Sequence, residues 1–224
     1  MTGAVLIGTL LMLACFLMVT TRSAQEEQRR SDALRQWAVH HGWQWAAAYP
    51  APWTVRMPGA NPHGVGYGFT GIADGRRVTV TEYTHRTRKR RALDEGSTRT
   101  VTHHHVVTIV HLDRPHPPVA VAARGVLSAF ERAVFGERPV ATGNLWFDNR
   151  FWIVSRDPGY VRHLIGPDLM AAHIAGVVPL WSVTGNHLVS YSPGRLNHLP
   201  AIPTHIAPLL RVASLLGRTD AWST

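Results

Sequence analysis

Three consecutive histidines, His103-His104-His105, followed by His111, are the residues whose type and spacing come nearest to chemistry. In an extended strand successive side chains alternate, so His103, His105 and His111 share one face and His104 takes the other. A His-x-His pair on a strand is a transition-metal motif, and a cross-strand His85 would supply a third ligand. A metal site also needs partners that orient the ring nitrogens, and the sequence identifies none. Val106 to Val110 is apolar on both faces apart from Thr108. The competing reading is therefore that the histidines mark the wetter end of a central strand.

The densest charge run is Arg86, Arg88, Lys89, Arg90 and Arg91. It reads as a charged connection between strands, with contact to anionic phospholipid heads as its functional use. Each basic residue at such a surface contributes about 1 kcal/mol. Nucleic acid is a poorer partner, because no recognisable binding motif accompanies the charge. Gly66-Tyr67-Gly68-Phe69-Thr70-Gly71 matches GxGxxG letter for letter. A dinucleotide site needs that motif to follow a strand and open a helix. Here it leads into a hairpin, so the glycines read as permitting a bulge or close backbone packing. Asp74, Asp94, Asp113, Asp148, Asp157 and Asp168 fall at expected turns and helix starts, where capping accounts for them. No spacing pairs an acid with a base, and no serine sits in a nucleophile elbow. These absences argue against an enzyme, and no cofactor is expected.

The chain has 224 residues, 45% of them apolar and 17% charged, which excludes a disordered chain. Its net charge of +9 comes from 22 arginines and a single lysine, Lys89, against 14 acidic residues. That skew reads first as genomic bias and second as a surface field for a partner. The lone cysteine, Cys15, excludes an intrachain disulfide and a cysteine-rich zinc site.

The elements follow from periodicity. Gly3 to Val19 carries no charge, and at ~1.5 Å per residue its length is at the low end for spanning a bilayer. It lacks the basic n-region and small-x-small site of a cleaved signal, and Cys15 lacks a convincing lipobox. An uncleaved anchor over 1–21 is expected. Arg22, Arg29, Arg30 and Arg35 follow it, placing the remainder in the cytoplasm by the positive-inside rule. Residues 22–45 read as a juxtamembrane helix, capped by Ser23 with Glu26 and ending at Gly42. Residues 46–224 read as an α+β domain, divisible into sub-blocks 46–136 and 137–217. Its expected parts are hairpins about Asp74-Gly75 and Gly185-Asn186 and strands over Val101–Leu112, Val119–Ala123, Val140–Phe147 and Phe151–Val154. Helices are expected over Val126–Phe135, after Asp157, from Asp168, and over Pro203–Leu216. Strands run together with helices near the ends, which predicts a mainly antiparallel sheet with flanking helices.

Phe147-Asp148-Asn149-Arg150-Phe151-Trp152-Ile153-Val154, then Asp157 and Leu164-Ile165-Gly166-Pro167, resembles a recurrent pattern of uncharacterised actinobacterial single-pass membrane proteins. Gly71 to Arg76 running into Val80 to Tyr83 is similar to their glycine-arginine hairpin. Val106 to Leu112, closed by Pro115, Pro117 and Pro118, is similar to their long strand. The resemblance implies an anchored cytoplasmic domain of unknown function and carries no catalytic residues. The leading expectation is a non-enzymatic membrane-tethered interaction or scaffold domain at the cell membrane. Its partners would be the bilayer, anionic phospholipid heads and a further protein. A histidine-based metal-binding module or metal-dependent enzyme is the alternative, and a secreted lipid- or ligand-binding domain the third reading.

Overall fold

The computed structural model describes residues 24–46, 51–90, 98–124, 139–197 and 202–217, with the side chains of Lys89 and Arg90 left out. Met1–Gly42 and Trp43–Thr224 are separate compact units. The first contains one described helix, α1, over residues 24–40. It closes at Gly42, whose φ of +70° is the left-handed conformation that glycine adopts without a Cβ penalty.

The second unit is built on one seven-stranded antiparallel sheet. Its strands are β1 (Gln44–Ala46), β2 (Val65–Ala73), β3 (Arg76–Arg90), β4 (Thr98–Ala123), β5 (Pro139–Val140), β6 (Phe151–Ser155) and β7 (Trp181–Pro193). The order is β1-β2-β3-β4-β6-β5, with β7 paired to β4. Two 3-10 turns, Pro52–Arg56 and Pro58–Ala60, precede β2. Helices α2 (Leu145–Asp148), α3 (Pro158–Leu164) and α4 (Pro167–Ile174) flank β6, and α5 (Ile202–Leu215) closes the described chain.

Alternation sorts the core onto the two faces of the sheet. On one face Tyr83, Val107, Ile109 and Val189 pack with Trp53, Met57 and Val65. The Tyr83 hydroxyl locks the second 3-10 turn in place, donating to Pro58 O and accepting from Asn61 N. On the opposite face Val78, Val80, Val106, Val110 and Leu188 are buried. There the Thr108 hydroxyl donates to His205 O of α5.

The two strands expected over Val101–Leu112 and Val119–Ala123 are one strand of 26 residues. Its ladder with β7 slips between His111 and Val119, where His116 opposes Gly185. Pro115, Pro117 and Pro118 lie in that interruption. Proline has no N–H for a ladder, so it is tolerated where the ladder is already broken. Likewise β7 is no hairpin about Gly185. It is one strand bent there (φ +57°), both halves of which pair with β4. The Ser190 hydroxyl reaches back to Leu180 O across the bend.

Local chemistry explains further differences. Val140–Phe147 is not a strand, because Asn144 caps α2 by accepting from Phe147 N. The Asp148 carboxylate then takes Thr142 N and Oγ1 and Gly143 N. Asp157 caps α3 as expected, accepting from Tyr160 N at 2.9 Å. The Val126–Phe135 helix falls outside the described residues. The transmembrane helix expected of residues 1–21 is not part of this fold class. No helix among the described residues is long and apolar enough to cross a membrane. The stretch on which that expectation rested lies outside them. The architecture that stands is a mainly antiparallel sheet with helices.

The GxGxxG glycines lie inside β2, with no helix behind them. A Cβ at Gly71 would stand 2.3–2.5 Å from the Trp43 ring, whereas at Gly66 it would meet Glu82 Cβ at an ordinary 3.5 Å. Gly71→Ala should therefore destabilise by about 1–3 kcal/mol through overpacking, with Gly66→Ala close to neutral, as read by urea denaturation.

Candidate functional site

The basic run does not form a connecting loop. β3 continues to Arg90 and β4 starts at Thr98, so Arg86 faces Thr102, Arg88 faces Thr100 and Arg90 faces Thr98 across a ladder. Arg91 lies outside the described residues. β2 leaves β3 at Tyr83, and β7 leaves β4 at His105. Beyond those points β3 and β4 run on paired only with each other, as a two-stranded ribbon. Arg86, Arg88 and Arg99 are exposed on it. Threonine, a β-former that carries no charge, stands opposite Arg86, Arg88 and Arg90, whereas Lys89 stands opposite Arg99, the one place in this register where two cations oppose each other across the ribbon.

The histidines sit at the root of the ribbon. His85 lies opposite His103 and Tyr83 opposite His105, so His85 does come to His103 and His105. The three rings stack almost parallel, with centroids 4.8 Å (His85–His103) and 5.3 Å (His85–His105) apart. Stacking turns the ring faces, not the nitrogen lone pairs, towards one another. His103 Nε2 is taken by the Thr87 hydroxyl at 2.9 Å. Among the described residues no three His, Cys, Asp or Glu side chains are arranged to hold a metal ion. Burial first, then repulsion from neighbouring imidazoles, lowers the pKa of His85 and His105, which favours the neutral form of those two rings. His104 points to the other face, beside Thr84.

His111 belongs elsewhere. It lines a cavity of about 360 Å³ with Trp53, Thr70, Thr79, Ile109 and His187. Its floor is a chain of polar contacts. Thr70 and Thr79 hydroxyls are 2.8 Å apart, Thr79 Oγ1 lies 3.2 Å from His111 Nε2, and the His111 and His187 rings meet edge to face at 5.1 Å. Burial, then His187 and Arg77, push the His111 pKa down to about 4, so the ring is neutral at pH 7. A neutral imidazole and two hydroxyls offer donors and acceptors to a polar ligand. They do not make a nucleophile, because the charges facing His111 are cationic and nothing stabilises an imidazolium.

A second cavity, about 350 Å³, is lined by Ala120 to Ala123, Leu180, Trp181, Ser182, Tyr191, Pro193 and Arg56. Trp181 is fixed by His173, its indole N–H donating to His173 Nε2 at 3.0 Å. Indole is a donor only, so Nε2 is bare and the His173 proton resides on Nδ1. Phe151 and Phe147 complete the packing, their centroids 5.1 and 5.7 Å from the ring. Arg56, Thr70, Thr79, His173 and His187 were not legible as site residues. Arg56 lies in a proline-punctuated stretch that reads as loop, and the threonines look like ordinary strand alternation.

No protein-family model matches the chain, and no curated protein matches it. Among solved structures it is similar to the crystal structure of the mycobacterial trehalose monomycolate transport factor A, TtfA. The TM-score is 0.52 at 12% identity, over 84% of this chain and 90% of that one. At that identity the likeness is one of fold.

His173 is 2% exposed, and burial pulls its pKa from 6.5 to about 4. A folded-state pKa lowered in this way leaves full stability above pH 6.5 and removes it as pH falls from 6.5 towards 4. At pH 5 the loss from this ring is about 2 kcal/mol, from 1.36 kcal/mol per pH unit. His173→Gln keeps an acceptor for Trp181 without a proton to gain. Its unfolding free energy should therefore fall by about 2 kcal/mol less than the parent's between pH 7 and pH 5.

Proposed function

We propose that the chain is a non-enzymatic interaction domain that works at an anionic lipid surface, with the overhanging β3–β4 ribbon as its contact. The observation that carries this reading is the ribbon itself. Arg86, Arg88 and Arg99 stand exposed on a two-stranded projection free of β2 and β7. Arg86 and Arg88, two residues apart, share one ribbon face and Arg99 lies on the other; a thin ribbon that carries cations on both faces can bring them together to an interface rich in phosphates. Asp94 and Glu95, the acidic residues in the intervening sequence, number fewer than the cations of the run.

Two further considerations support it. Polar groups converge in the Thr70–Thr79–His111 cavity without an acid–base pair or a nucleophile, which suits binding better than turnover. The protein whose fold this chain shares is a trehalose monomycolate transport factor, and from that we take a lipid-related setting for the fold. The cytoplasmic leaflet, with its negative surface potential, is the natural surface for the ribbon. Attachment here rests on the ribbon's charge.

The test is flotation with vesicles mixing phosphatidylglycerol and phosphatidylcholine at low salt. Replacing Arg86 and Arg88 by Gln should reduce partition by roughly 30-fold, about 2 kcal/mol for two charges. Binding by the parent should fade as added salt shortens the Debye length. Equal flotation of parent and double variant refutes the assignment. Preference for a DNA duplex over the vesicles would replace it with a nucleic-acid role.

A further inference from the structure

The cavity at the bend of β7 has an uncommon composition. Its walls are small or apolar: Ala120 to Ala123, Leu180, Trp181, Tyr191 and Pro193. Among them sits one full charge, Arg56. Arg56 Nη1 is closed off from solvent and has no hydrogen-bond partner among the described residues. Burial lowers the Arg56 pKa, and no carboxylate acts against that. A half-buried guanidinium with no counter-ion among the described residues is costly, and a ligand that supplies the opposite charge offsets that cost.

The surroundings say what that something resembles. Leu180 and Tyr191 are each 40% exposed, so large apolar side chains stand at the rim of the cavity. Alanines line the inner wall, where β4 is paired on both edges, to β6 and to β7. Their small side chains leave the space that longer ones would fill. The cavity size is that of a small-molecule site, predominantly apolar with one fixed polar anchor.

We propose that this cavity binds a single-chain anionic amphiphile, its tail along the alanine wall and its acidic head on the Arg56 guanidinium. The shared chemistry is an alkyl chain ending in a carboxylate or a phosphate. Arg56 suits either head, because its planar fork of donors matches both. The site does not depend on the ribbon's arginines: its lining includes neither Arg86 nor Arg88, and it takes a dispersed molecule in place of a membrane surface.

Calorimetric titration of the intact protein tests this, with dodecanoate and dodecyl phosphate kept below their micelle concentrations. Saturable binding at one site per chain is expected, and the relative affinities of the two ligands assign the head. Arg56→Gln should weaken binding at least about tenfold, the loss of one charge-assisted hydrogen bond, while the unliganded variant melts no lower than the parent. Arg56→Lys should recover part of the affinity. Leu180→Asp, a change at an exposed position, should weaken binding by a similar factor through charge at the rim, and it decides the matter if Arg56→Gln fails to fold. The double variant at Arg86 and Arg88 should bind as the parent does, which separates this site from vesicle attachment. Three results overturn the proposal: dodecyl maltoside binding as tightly as dodecanoate, acetate binding as tightly as dodecanoate, or unchanged affinity in Arg56→Gln.

Discussion

A strand of 26 residues has to find partners along both of its edges or leave backbone groups unpaired, and that requirement on β4 shapes everything around it. On one edge β3 pairs from Thr98 to Val110 and β6 from Val119 to Ala123. Between them the edge has no ladder partner, and three prolines fall in that gap with no N–H groups to satisfy. On the other edge β7 follows β4 from His105 to Val121, with its own bend at Gly185 matched to the slip opposite. One break in the ladder thus curves two strands together. The bend brings Trp181 and Tyr191, from opposite halves of β7, into the lining of one cavity. The overhang at the far end, where β4 outlasts β7, is the basic ribbon.

The interior is furnished with imidazoles where many proteins would use paired charges. His85, His105, His111 and His173 all have lowered pKa values, with burial the leading cause each time. A neutral histidine serves as a flat, half-polar filler: it stacks in the His85–His103–His105 column, accepts from Trp181, and takes a threonine hydroxyl at Thr79. In a chain short of carboxylates this makes sense, since buried cations would lack anions to meet them. Among the described residues Glu82 is the buried carboxylate, and it accepts from Leu196 N. Most arginines are left at the periphery, and Arg56 departs from that rule.

Much of the local architecture was legible because it obeys short-range rules. Asp74-Gly75 turns the β2–β3 hairpin through positive φ values at both positions. Asp157 caps a helix, and the terminal helix begins within a residue of the expected Pro203. The histidine positions also fell on the expected faces, since alternation needs only the strand. What failed depended on long-range pairing. Prolines argue locally for a strand's end, and nothing in Leu112 to Pro118 announces that β7 carries the pairing across. Arg86 to Arg90 looked like a loop because charge runs usually are, whereas the opposing threonines of β4 make a ladder of it. Arg56 is invisible in sequence for the same reason: its solitude is a property of what surrounds it in space.

The two cavities share one electrostatic element. Arg56 lines the apolar cavity, and burial first, then the charge of Arg56, lowers the pKa of His187, which lines the polar one. The pKa of His111 is lowered first by burial and then by the charge of His187, whose ring it meets edge to face. An anion seated on Arg56 cancels the field that His187 feels, and so eases protonation there. His111, facing a more readily charged His187, is held neutral more firmly. A ligand on Arg56 would in this way alter the charge met in the polar cavity, by the electrostatic interaction of Arg56 with His187 and of His187 with His111. The coupling needs Arg56 to lack a carboxylate of its own, because a paired guanidinium would already be neutralised and would transmit little.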